Sequence, residues 1–161
     1  LMYCPKNPVN RDQMAVFLGR ATHGSNFTPP AATGIFADVP KGYWAADWIE
    51  QFYADGLTKG CKTDPHDAQS AVMHYCPKYP VTRTTMEIFL LRAKHGANYQ
   101  PPPDNGIFED VGINYWAADW IEQLYREGNT TGCKKTPLMY CPSNHVTRAQ
   151  MAVFLMRILD L

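Results

Sequence analysis

Net charge is the first thing this chain lacks. Its 15 basic and 15 acidic residues cancel, so no bulk field gathers nucleic acid or an anionic membrane. Long apolar runs are missing too, none nearing the roughly 20 residues of a bilayer span. There is no Cys-x-x-Cys pair, no G-x-S-x-G elbow and no phosphate-cradling glycine loop. These absences remove common zinc, serine-hydrolase and nucleotide sites. The expectation is a chain that is not an enzyme, carries no cofactor or metal, and has no nucleic-acid partner and no membrane span.

What the chain has in abundance is itself. The phrase Leu-Met-Tyr-Cys-Pro occupies residues 1–5 and again 138–142. Sliding the sequence by 72 places lays residues 9–61 on 81–133 with identity at more than half of the positions, and Tyr43–Gln51 matches Tyr115–Gln123 without change. A third copy of one half-unit starts at Val146. Such periodicity decides architecture before any local reading does. Three copies of one half-unit and two of the other imply a chain that opens inside a repeat.

The five cysteines follow the repeat. Cys61 and Cys133 stand in Gly-Cys, while Cys4, Cys76 and Cys141 stand in Tyr-Cys-Pro. Paired cysteines in each unit point to disulfides Cys61–Cys76 and Cys133–Cys141, with Cys4 unpaired, and to an exported protein at the cell surface. Zinc is the rival reading, since His66 and His74 lie between Cys61 and Cys76, but no histidine lies between Cys133 and Cys141.

Each unit parses into helix, Pro-rich loop, helix and hairpin. Thr147-Arg-Ala-Gln150 fits a capping box, and Met151, Phe154, Leu155, Ile158 and Leu159 follow at helical spacing. Met14, Phe17 and Leu18, and Met86, Phe89 and Leu90, repeat that stripe. His23-Gly24 and His95-Gly96 read as helix ends. A second helix starts near Tyr43 and Tyr115, its apolar face holding Trp44, Ala45, Trp48, Ile49, Phe52 and Tyr53. Asp47 with Glu50, and Asp119 with Glu122, read as a solvated helix face.

Phe36-Ala-Asp38-Val39, Trp44-Ala45, Gly56…Gly60-Cys61 and Thr147-Arg148-Ala149, in that order and repeated, resemble the S-layer homology family. The resemblance places residues 1–27 as the second half of a first repeat, 28–99 as a second repeat and 100–161 as a third. It implies an all-α fold, a pseudo-threefold spindle around a three-helix core. It also implies non-covalent anchoring to a cell-wall polysaccharide that is acidic and often pyruvylated. Gln13, Thr85 and Gln150 stand where the family carries Glu, and the cysteine pairs replace ordinary hairpin residues.

The candidate glycan-binding residues are Arg11, Arg83, Arg148, Trp44, Trp116, Asp38 and Asp110. Each arginine follows a helix cap, where a cation opposes the helix dipole by roughly 0.3–1 kcal/mol. Free N–H groups beside a guanidinium suit a carboxylate or phosphate. A salt bridge to Asp38 or Asp110 is the structural alternative. Trp44 and Trp116 offer ring faces to sugars, or else fill a core. The alternative function is a structural module that self-assembles into a surface layer or filament, with a homo-oligomer or neighbouring chain as partner.

Overall fold

A computed structural model describes residues 2–61 and 72–159. These fall into two compact units: a smaller one, Asn10–Pro80, and a larger one made of Leu1–Val9 and Val81–Leu161. The smaller unit holds α1 (Arg11–His23) and α2 (Ala46–Ala54). The larger holds α3 (Arg83–His95), α4 (Ala118–Arg126), strands β1 (Lys134–Lys135) and β2 (Leu138–Met139), and α5 (Arg148–Ile158).

Local chemistry sets the helix starts. Thr147 Oγ1 accepts from Gln150 N at 3.3 Å while Gln150 Oε1 accepts from Thr147 N at 3.0 Å, the expected capping box. Thr82 Oγ1 caps α3 by accepting from Thr85 N at 3.2 Å. The helices end at Gly24 and Gly96, whose N–H groups return to Arg20 and Arg92 carbonyls. The preceding histidines do more than face a dipole. His23 Nε2 lies 2.8 Å from Asp55 at the end of α2, and His95 Nε2 lies 2.7 Å from Glu127 at the end of α4.

In the smaller unit α1 packs on α2, and in the larger α3 packs on α4 and α5. Phe108, Val111, Ala118, Ile121 and Tyr140 form a buried cluster of the larger unit, joined by Tyr115 and Leu138. Also in that unit, three equivalent valines close a ring. Val9 N donates to Val146 O, Val146 N to Val81 O and Val81 N to Val9 O, at 2.8–2.9 Å. All three side chains are buried.

The expectation of an all-α spindle around a three-helix core is overturned. β1 and β2 pair antiparallel, Lys134 opposite Met139 and Lys135 opposite Leu138, so the fold is mixed α and β. The physical reason is length and constraint. The Cys133–Cys141 bridge ties together the ends of a segment too short for a stable helix, and Pro137 bars helical hydrogen bonding within it. A hairpin is the remaining way to pair its backbone groups.

Candidate functional site

The three recurring arginines are drawn inward. Arg11 is 8% exposed and Arg83 6%. Arg11 Nε donates to Tyr75 O at 2.7 Å, and its Nη2 donates to Gly60 O at 3.0 Å and Thr58 Oγ1 at 3.4 Å. Arg83 Nε donates to Tyr140 O at 2.8 Å, and Arg148 Nε to Tyr3 O at 2.9 Å. Each guanidinium lies over the ring of the tyrosine it bonds. Burial lowers the Arg11 pKa, opposed by the charges of Tyr75 and Asp38.

The helix starts are not open anion sites of the kind the sequence suggests. Arg11 N donates to Tyr79 O and Asp12 N to Pro77 O; Arg83 N donates to Asn144 O and Thr84 N to Pro142 O; Arg148 N donates to Asn7 O and Ala149 N to Pro5 O. The loop after each Tyr-Cys-Pro thus curls over the start of a helix other than the one that follows it and takes its first two N–H groups. The loop after Tyr75 covers α1, that after Tyr140 covers α3 and that after Tyr3 covers α5. That tertiary contact is invisible to capping rules, which see only neighbouring residues.

Asp38 and Asp110 serve the same loops from the other side. Asp38 accepts from Tyr75 N and Cys76 N, and Asp110 from Tyr140 N and Cys141 N, all at 2.7 Å. Aspartate and arginine therefore meet across the Tyr-Cys backbone rather than in a direct salt bridge. Cys61–Cys76 and Cys133–Cys141 are disulfide-bonded, and Cys4 is free and exposed. The bridges fit an oxidising compartment. Each bridge lies beside one of these carboxylates, but an oxidised sulfur offers no thiolate to a metal. His66 of the zinc reading lies outside the described residues. His74 pairs with Cys61 through the backbone.

One cavity of about 300 Å³ opens in the larger unit, lined by Arg83, Thr130, Gln150, Phe154 and Arg157 among others. Arg83 Nη2 is itself buried without a hydrogen-bond partner. Its counterpart Arg11 Nη2 instead donates to Thr58 Oγ1 and Gly60 O. Glu87, one helical turn on from Arg83, is fully buried. Burial pushes the Glu87 carboxyl well above its usual range, and the Tyr140 hydroxyl and Arg83 charge offset this only in part. A cationic socket with apolar and hydroxyl walls can hold a carboxylate while packing a ring or methyl beside it.

Trp44 and Trp116 sit in the turns before α2 and α4, 58% and 70% exposed. Tyr43 and Tyr115 lie beside them. Trp48 instead covers Gly19, where a Cβ would meet its ring at 2.7 Å, and Arg20 lies over it. The acidic pairs are not a solvated face. Glu50 accepts from the N–H groups of Thr33, Gly34 and Ile35, and Asp47 from that of Ala32. Burial raises the Glu50 pKa, but these bonds outweigh it and the net shift is downward. Glu122 does the same for Asn105 and Ile107. These carboxylates staple the Pro-rich loops onto the second helices.

Sequence reasoning passed over Glu87 and Arg157. Both had a signal in the repeat. Glu87 stands where the other copies carry Ala15 and Ala152, and Arg157 recurs with Arg20 and Arg92 nine residues after each helix-leading arginine. Arg20 and Arg92 lie over Trp48 and Trp120, while Arg157 lines the cavity.

Among the described residues no helix is long and apolar enough to cross a membrane. No family model matches the chain. It is 26% identical over 144 residues to an endoglucanase of Bacillus sp. (strain KSM-635), covering 89% of this chain and 14% of that protein. It is 24% identical over 161 residues to an amylopullulanase of Thermoanaerobacterium thermosulfurigenes, covering 98% of this chain and 8% of that protein. The chain is thus similar to a small segment of each of two much longer proteins.

Proposed function

We propose that this chain is a non-catalytic anchoring module of the S-layer homology type, exported and held at the cell surface by an acidic wall polysaccharide. The observation that carries the reading is the cavity that Arg83 lines together with Arg157 and Gln150, Arg83 having a buried Nη2 with no hydrogen-bond partner. A buried guanidinium nitrogen left unbonded is costly, and a carboxylate of the glycan relieves that cost. Phe154 and Val153 give a pyruvyl methyl or a sugar face an apolar wall. The exposed rings of Trp44 and Trp116 supply further sugar contacts.

The two relatives support a non-catalytic role. One is named an endoglucanase and the other an amylopullulanase, yet each matches nearly all of this chain with only 14% or 8% of its own length. A segment shared by two such enzymes is better read as an accessory module than as the catalyst of either.

Arg83 makes the anion contact in this reading, Arg157 closes the mouth, and Arg11 and Arg148 hold their loops. Arg157→Gln tests it, because Arg157 is exposed and its removal leaves the Arg83–Tyr140 bond in place. Co-sedimentation with isolated wall polysaccharide should show retention falling about tenfold, the loss of one charge-assisted contact of roughly 1.5 kcal/mol. Unchanged retention by a folded variant removes the cavity from the account.

A further inference from the structure

Glu87 is a carboxylic acid placed where the repeat otherwise carries a methyl group. The equivalent positions of α1 and α5 are Ala15 and Ala152. Glu87 is 0% exposed, and among the described residues neither of its carboxylate oxygens has a hydrogen-bond partner. Arg83 stands four residues earlier on α3, the spacing that makes two side chains neighbours on one helix face. Its Nη2 is buried and also lacks a partner among the described residues. An unbonded cation and an unbonded acid thus share one turn of a buried helix.

Tyr140 joins the two. The Arg83 guanidinium lies 4.5 Å from the centroid of its ring. Its hydroxyl acts on the Glu87 carboxyl but donates to Arg83 O, at 3.2 Å. The guanidinium is therefore the donor that an ionised Glu87 draws. Other charges on the elements packed against α3 are engaged elsewhere. On α4, Asp119 and Glu122 accept from amides of residues 104–107, and Arg126 bonds Glu122. Glu127, at the end of α4, pairs with Lys94 and His95. On α5, Arg148 bonds Tyr3 O, while Arg157 lines the cavity with Arg83.

We propose that Glu87 and an external carboxylate compete for the Arg83 guanidinium, so that anion binding in the cavity is coupled to uptake of one proton by Glu87. With Glu87 neutral, Arg83 is a buried charge without compensation, and a carboxylate entering the cavity neutralises it. With Glu87 ionised, the two residues neutralise each other. An entering anion then displaces the Glu87 carboxylate, which takes a proton from solvent and becomes the neutral acid. Burial holds the Glu87 carboxyl well above its usual range, so the neutral, anion-accepting state persists above the ordinary carboxylate range. Affinity is full below the folded value of Glu87 and falls as pH rises through it, by up to about tenfold per pH unit. The coupling deepens the anchoring reading and rests on its carboxylate contact at Arg83. Glu87 acts through Arg83 and is a positioning residue.

The test uses acetate as the probe on the folded chain with isotope-labelled glutamate, against sodium chloride of equal ionic strength. The Glu87 carboxyl resonance, assigned by its loss in Glu87→Gln, is titrated with pH in both salts. Saturating acetate should raise the Glu87 midpoint by about one pH unit or more, the shift that tenfold coupling gives. Acetate affinity, read at the Gln150 and Val153 amides that line the cavity, should fall about tenfold per pH unit above that midpoint. In Glu87→Gln it should stay constant over the same range, although every histidine of the chain still titrates. An unmoved Glu87 midpoint, a pH slope kept in Glu87→Gln, or no acetate response at those amides overturns the proposal. Retention on purified wall polysaccharide separates it from the reading it rests on. Retention that is firm at every pH keeps the glycan reading and overturns the coupling. No retention beside an acetate-shifted Glu87 midpoint supports the coupling and removes the glycan reading.

Discussion

Removing the Asp38 carboxylate should loosen one loop and leave its repeat counterpart untouched. Asp38 receives two N–H groups, from Tyr75 and Cys76, each at 2.7 Å. Hydrogen bonds to a charged acceptor contribute roughly 1.5–3 kcal/mol each, and Asp38→Ala leaves both donors without a partner, so a loss of about 3–5 kcal/mol is expected. Asp38→Asn keeps one acceptor oxygen but turns an NH₂ toward the other donor, so the loss should be intermediate, about 1.5–3 kcal/mol. Native-state hydrogen exchange reads the effect at the two amides themselves. The control is built into the molecule, since the Tyr140 and Cys141 amides are held by Asp110 in the other unit. The reasoning is refuted if Tyr75 and Cys76 keep their protection in Asp38→Ala, or if all four amides lose it equally.

Two further substitutions probe the interior. Glu87 is buried with a raised pKa, so its contribution is fully present below the ordinary carboxylate value near 4.5 and is lost as pH rises toward its folded value. Over that window the parent should lose about 1.4 kcal/mol of stability per pH unit, whereas Glu87→Gln should not; urea titrations at several pH values should show the gap widening upward. At Gly60, where φ is +89°, a Cβ would meet His74 O at 2.5 Å. Gly60→Ala should cost about 2–4 kcal/mol from the left-handed backbone and the carbonyl clash together, measured by denaturant unfolding.

Much of this was legible in the repeat. The starts at Arg11, Arg83 and Arg148, the glycine stops and the two disulfides follow from patterns local in sequence or copied within it. The sequence left Trp44 and Trp116 open between a core position and a sugar-facing one, and both rings are exposed. What escaped was set by loops returning from far along the chain. Asp12 N finds Pro77 O, and Thr84 N finds Pro142 O, so the free N–H groups inferred at the helix starts do not exist. Glu50 reads as solvated because its partners, Thr33 to Ile35, lie on a proline-rich loop whose path no periodicity fixes. The helix-dipole argument cast the arginines as opposing their own helices. Their bonds to tyrosine carbonyls make Arg11 and Arg83 structural. The hairpin at Cys133–Cys141 was visible as a short bridged loop, yet a class label drawn from helices alone left out the two strands.

The central claim is that an acidic group of a wall polysaccharide seats in the Arg83 cavity. Equilibrium binding of the folded chain to purified wall polysaccharide, compared with the same polysaccharide after its carboxylates are reduced to alcohols, tests it most directly. The account predicts firm binding to the native polymer, loss of at least tenfold on carboxyl reduction, and weakening as salt is raised, since a charge-assisted contact at an open cavity mouth is screened. Equal binding to the native and reduced polymers, or no binding to either, would contradict it.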